Sequence, residues 1–95
     1  MKVGTGIGGW PSRAPAQARA AEETGFDYVT CGELSHDSML TMTLAATSTD
    51  RVGLQTSVTI AFPRSPMVLA MEAWDIQELS GGRFTLGLGS QVKGH

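Results

Sequence analysis

The stretch Phe26-Asp27-Tyr28-Val29-Thr30-Cys31 is a short aromatic and β-branched run with a helix-forming segment on either side. Such side chains suit a pleated, half-buried strand, and the run is too short for a buried helix. Before it, Pro15 to Thr24 is rich in alanine. Proline is tolerated in a first helical turn, alanine is the best helix former, and Gly25 can take the left-handed position that ends a helix. After it, the polar cluster Gly32-Glu33-Leu34-Ser35-His36-Asp37 reads as a loop, and Asp37 or Ser38 caps a second helix through about Thr47 by accepting a hydrogen bond from a first-turn amide. Helix, strand, loop and helix in this order form the middle of a β-α-β series.

The same alternation continues outward. Lys2 to Ile7 reads as a first strand that leaves through Gly8-Gly9-Trp10-Pro11, and Val52 to Val58 as a third. Ser65-Pro66 offers an N-cap and a first-turn proline for a third helix, which runs to Leu79 or Ser80 and stops at Gly81-Gly82. Leu69, Ala73, Ile76 and Leu79, together with Ala70, Trp74 and Gln77, predict a broad buried stripe along it. Arg83 to Gly89 reads as a fourth strand, and Ser90 to His95 as the start of a loop. The expected fold is α/β, with parallel strands joined by right-handed helical crossovers. That order makes one half of a closed barrel or one half of a doubly wound sheet. A barrel takes about 250 residues, so a chain of 95 supplies at most its first half and is expected to be a fragment.

Composition narrows the partners. Seven basic against nine acidic residues leave a net charge of −2 with no basic run, which disfavours nucleic acid and anionic membrane surfaces. No apolar stretch approaches the roughly 20 residues that span a bilayer, and the amino terminus lacks the apolar core of a signal peptide, so a cytoplasmic location is expected. The single Cys31 has no second thiol for a disulfide or a thiolate metal site, and no metal is expected.

In parallel α/β folds the ligand lies against the C-terminal ends of the strands. Four segments qualify. Gly4-Thr5-Gly6-Ile7-Gly8-Gly9 formally satisfies a dinucleotide-binding glycine fingerprint, with Glu33 placed for a ribose contact. Its context disagrees, because few residues precede Gly4 and Trp10-Pro11 intervenes before any helix. The alternative is that Gly4 and Gly6 face a crowded barrel centre. Glu33, His36 and Asp37 form the densest ionisable group at a strand end and are the candidate catalytic residues. His36 exchanges protons near neutral pH, and a neighbouring carboxylate can orient its ring, although Asp37-Ser38 also reads as a plain helix start. Thr56-Ser57-Val58 begins a loop of small and hydroxyl-bearing residues that lets a flat cofactor approach the backbone. Gly89-Ser90-Gln91 again places glycine at a strand end. Arg64 could bind an anionic group, but a solvated arginine near a helix start is the expected outcome.

The runs Ala61-Phe62-Pro63-Arg64-Ser65-Pro66-Met67-Val68-Leu69-Ala70-Met71 and Leu79-Ser80-Gly81-Gly82-Arg83-Phe84-Thr85-Leu86-Gly87-Leu88-Gly89-Ser90-Gln91 resemble the luciferase-like monooxygenase superfamily, and most of all its F420-dependent oxidoreductase branch. Ala21 to Asp27 and Glu33 to Asp37 extend the resemblance over essentially the whole chain. It implies a TIM barrel that binds coenzyme F420, or alternatively flavin mononucleotide, across its C-terminal mouth and passes hydride to or from a small organic substrate. It places His36 near the reacting ring with Asp37 close by. It implies a non-proline cis peptide in Thr56-Ser57-Val58, at Ser57–Val58, forming a bulge behind the ring. Gly6, Thr56, Ser57, Val58, Gly89, Ser90 and Gln91 are the candidate cofactor-binding residues. Strands five to eight of the family are absent, so the open sheet edge points to a homo-oligomer. Two other readings stand beside this one: a catalytically silent half-barrel that self-associates, and a small NAD-binding domain.

Overall fold

The computed structural model describes residues 1–33, 35–60 and 64–89. In chain order the elements are β1 (Gly4–Gly6), α1 (Ala14–Thr24), β2 (Tyr28–Cys31), α2 (Ser38–Ser48), β3 (Gly53–Thr56), β4 (Thr59–Ile60), α3 (Pro66–Ser80), β5 (Phe84–Thr85) and β6 (Leu88–Gly89). A 3-10 turn at Pro11–Arg13 leads into α1.

The helix ends follow the local chemistry. Gly25 ends α1 at φ 104° and Gly81 ends α3 at φ 67°, left-handed values that cost glycine little. The Asp37 carboxylate accepts from the amides of Met39 and Leu40 at the start of α2, and the Ser65 hydroxyl accepts from Val68 at the start of α3.

The main sheet has the order β1-β2-β3-β5, and every pair in it is parallel. Strands therefore stand in chain order. A doubly wound sheet reverses direction after its first strands to open a dinucleotide crevice, and here the fourth position pairs with β3 and not with β1. The doubly wound expectation, and the small NAD-binding domain built on it, give way to the barrel-like order. The glycine run also leads into the 3-10 turn before α1 begins at Ala14, so no helix amino end faces it directly.

Val29, Leu54 and Phe84 lie in one register row across β2, β3 and β5 and are buried. Ala18 and Ala21 of α1, Met42, Ala45 and Ala46 of α2, and Leu69 and Ile76 of α3 join them in one core. Burying a side chain such as Leu54 or Met42 contributes about 1.5–3 kcal/mol. The intervening row, Gly6, Thr30, Gln55 and Thr85, is exposed or half-buried on the other face of the sheet. A Cβ on Gly4 would sit 2.2 Å from the Tyr28 ring, which covers that glycine as expected for a crowded centre. Gly6 differs: only Thr30 Oγ1, at 4.0 Å, approaches its Cβ position.

Two elements depart from the expectation. The third and fourth strands each divide in two, because a side chain takes over from the ladder between Thr56 and Gly87. The Thr56 hydroxyl donates to the Gly87 carbonyl at 3.0 Å and accepts from the Gly87 amide at 2.9 Å. A Cβ at Gly87 would lie 2.3 Å from the Thr56 carbonyl oxygen, so only glycine permits that approach. Parallel pairing then resumes as a separate ribbon of β4 and β6, with Thr59 opposite Leu88 and Ile60 opposite Gly89. The stripe of α3 is also narrower than predicted. Leu69, Ile76 and Ser80 are buried and Ala73 packs beside them, whereas Trp74 is 77% exposed, since the sheet contacts one side of the helix only.

Candidate functional site

Parallel pairing of β1, β2 and β3 places their C-terminal ends on one side, a rim where His36 and Gly32 line one cavity, Gly32 abuts the Ser57 carbonyl and Val58 abuts Gly89. The three sequence-predicted ionisable residues have different surroundings on it. The Glu33 side chain is 7% exposed and meets the guanidinium of Arg64, which donates through Nη1 to Oε1 at 2.7 Å and through Nη2 to Oε2. The same carboxylate accepts from the Ile60 amide at 2.6 Å and the Ser38 amide at 2.9 Å. Burial pushes the Glu33 carboxyl upward, but Arg64 and these amides outweigh it and bring it down to about 2. Asp37 lies 3.4 Å from Arg64 Nη2 while capping α2. Arg64 is thus mostly buried at 15% exposure, which corrects the expectation of a solvated arginine: two carboxylates and the Ile60 carbonyl surround it.

His36 is half-buried, and its ring lies against that of Trp10, centroids 4.6 Å apart and planes inclined by 49°. Beside this pair a cavity of about 340 Å³ is lined by residues that include Ile7, Gly8, Cys31, Ser35, His36 and Thr41. Burial pushes the Cys31 thiol up, against a lowering hydrogen bond with Thr41, so it stays a protonated wall of the cavity.

The expected cofactor residues form a second group. The Ser57–Val58 peptide is cis, as the family resemblance implied. The Ser57 amide donates to the Cys31 carbonyl at 2.7 Å, and a Cβ on Gly32 would lie 3.0 Å from the Ser57 carbonyl oxygen. Val58 lies against Gly89, whose Cβ position is 2.7 Å from Val58 Cγ2. Thr56 is buried and occupied with Gly87. Gly6 stands apart on β1. Ser90 and Gln91 fall outside the described residues. At Gly8 and Gly9 nothing lies within 4 Å of a Cβ position, so the rim leaves room for a flat ring, with His36 and hydroxyl groups at hand, while the Gly8 amide donates to Gln17 Oε1 at 3.1 Å. These features fit a flavin-like cofactor. Arg64 and Trp10 carried no local signal of these roles, because their partners Glu33 and His36 are distant in sequence.

Among the described residues no three His, Cys, Asp or Glu side chains converge as metal ligands, and no helix is long and apolar enough to cross a membrane.

Known proteins resemble this arrangement. The chain is 42% identical over its whole length to an uncharacterized protein of Mycobacterium tuberculosis, of which it spans 28%. It is 36% identical over 76% of its length to a 5,10-methylenetetrahydromethanopterin reductase of Methanolobus tindarius, of which it spans 23%. Among solved structures, the coenzyme F420 dependent tetrahydromethanopterin reductase of Methanopyrus kandleri superposes with a TM-score of 0.85 at 26% identity, over 97% of this chain and 28% of that one. The chain therefore spans between a fifth and a third of the length of these relatives. Residues 3–95 match the family described as luciferase-like monooxygenase, and the chain belongs to that family.

Proposed function

We propose that the chain supplies the first half of a TIM-barrel oxidoreductase that binds coenzyme F420, with flavin mononucleotide as the alternative, against the rim of β1, β2 and β3. The observation that carries this reading is the juxtaposition of His36 with an open, glycine-lined rim and the Ser57–Val58 segment. The likeness to reductases whose names specify F420 chemistry supports it. When bound, the cofactor supplies the hydride chemistry. His36 holds or moves a proton at its ring, Asp37 fixes the start of α2 behind it, and Glu33 acts through Arg64 to set the loop that carries the histidine. Gly6, Ser57, Val58 and Gly89 present backbone and small side chains to the ring, and Ser90 and Gln91 are assigned to the same cofactor on the family resemblance alone.

Titration with F420, flavin mononucleotide and NADPH, followed by cofactor fluorescence, tests this. Saturable binding of F420 or the flavin that weakens on Gly6→Val supports the reading. A folded protein that binds neither, or prefers NADPH, overturns it.

A second reading, a catalytically silent module that self-associates, is favoured by α3, on which Met67, Met71 and Trp74 are 72%, 55% and 77% exposed. Light scattering separates the two: a concentration-dependent mass lowered by Trp74→Glu, without cofactor binding, selects the module.

A further inference from the structure

We propose that Arg64 is a positioning residue that locks the His36 loop to the segment after β3, so that the two halves of the rim are held as one body. What it positions for rests on the reading of His36 given above. The locking itself is a matter of geometry.

Arg64 addresses both carboxylates that flank His36 in sequence, Glu33 through a two-pronged contact and Asp37 at 3.4 Å, and its Nη1 also donates to the Ile60 carbonyl. Glu33 returns the connection by accepting from the Ile60 amide at 2.6 Å and from the Ser38 amide at 2.9 Å. Beneath them the Ser38 and Thr59 hydroxyls share a buried hydrogen bond of 2.8 Å. Glu33, Asp37 and Ser38 are thereby tied to Thr59, Ile60 and Arg64 through charge, backbone and hydroxyl contacts at once. The histidine sits between the two anchored carboxylates and leans on Trp10, which belongs to the exit of β1.

The chemistry selects arginine. A planar guanidinium can meet two carboxylate oxygens in parallel while a remaining N–H reaches a carbonyl, and an ammonium, being a point donor on a flexible stem, cannot satisfy that set together. Removing the guanidinium leaves Glu33 as a nearly buried carboxylate with amide donors alone, and the loop regains freedom to move away from β4. The consequence falls on His36, whose ring is placed by that loop.

The Trp10–His36 contact provides the readout. Trp74→Phe leaves Trp10 as the only indole, and Arg64→Met and Arg64→Lys are made in that background. The expected result at pH 7 is that Arg64→Met shifts the His36 imidazole proton resonances, weakens the cross-relaxation between the two rings and alters Trp10 emission. The amides of Val29 and Leu54 keep their slow hydrogen exchange, and Arg64→Lys shifts the same signals to a lesser degree. A merely structural role predicts a loss of exchange protection with no displacement of His36 relative to Trp10 in the folded molecules. Unchanged ring signals in a folded Arg64→Met protein overturn the proposal. Should that variant fail to fold, unchanged ring signals in Arg64→Lys overturn it equally. Failure of wild-type protein to bind F420 or flavin mononucleotide counts against the functional reading alone, because the ring signals are recorded without cofactor.

Discussion

The two ends of the sheet use the same residue types for opposite ends. At the end where the strands begin, Arg83 donates to the carbonyls of Ser80 at 2.6 Å, Val52 at 2.7 Å, Thr49 at 3.0 Å and Ala46 at 3.3 Å, and to the Thr49 hydroxyl at 3.0 Å. Glu22 accepts from the amides of Asp50, Arg51 and Val52 just before β3. These charges are consumed by backbone groups without ladder partners, the carbonyls at the ends of α2 and α3 and the amides and carbonyl of the turn that leads into β3. At the opposite end Asp37 and Ser65 cap the helix starts, and Glu33 and Arg64 are spent on each other, on Asp37, on the Ser38 amide and on the N–H and carbonyl of Ile60. His36 and the open Cβ positions of Gly8 and Gly9 take no part in that ion pair. One end closes the fold, and the other holds reactive groups in place.

The strongest challenge to this contrast is Arg83→Ala. Stranding several covered carbonyls is expected to lower stability by about 3 kcal/mol, read as a fall in urea midpoint, with the Trp10–His36 contact kept in the folded fraction. A loss under about 1 kcal/mol would put the two ends on the same footing.

Acid titration sharpens it next. Glu33 ionises at about 2 when folded against a usual 4.5, so its stabilisation is complete above about pH 4.5 and fades as pH falls toward 2. Discounted for solvent screening, that contribution is roughly 2 kcal/mol. Urea stability measured at pH 7 and pH 3 should therefore differ less in Glu33→Gln than in the wild type. At Glu22 burial acts upward, but the amides of Val52, Arg51 and Asp50 outweigh it and lower the carboxyl, so its contribution has the same sign. It is more exposed, and Glu22→Gln is expected to change the acid profile less. Coincident profiles for the two variants would break the comparison.

The smallest effects separate two glycines on the rim side. Gly87→Ala drives a Cβ against the Thr56 carbonyl and is expected to cost about 1–2 kcal/mol. Gly8→Ala meets open space and should stay within about 0.5 kcal/mol. Equal thermal midpoints for the two would mean that the rim is not packed as described.

Features written in adjacent residues were legible. Gly25, Asp37, Ser65-Pro66 and Gly81 set helix ends because a cap needs only its own side chain or its own φ, and the apolar row Val29, Leu54 and Phe84 follows from strand periodicity. The candidate site was legible in part. His36 stood out as an ionisable residue at a strand end, and Ser57–Val58 was singled out through the family resemblance. Arg64 was misread, since nothing local to it announces a carboxylate brought close by the β3 crossover. The division of the third and fourth strands was missed for the same reason, because Thr56 and Gly87 meet only after β3 and β5 have paired.

By itself the sequence determined the α/β alternation, the helix caps and the residue types available at the strand ends, all properties of short windows governed by propensity and periodicity. Tertiary structure alone decided that Thr56 hydrogen-bonds Gly87 in place of the ladder, that α3 buries one narrow stripe, and that Arg64 binds Glu33, and it set the strands in the chain order that the family resemblance implied. Each depends on which surfaces meet across long sequence separations, where burial and charge pairing outweigh local preference.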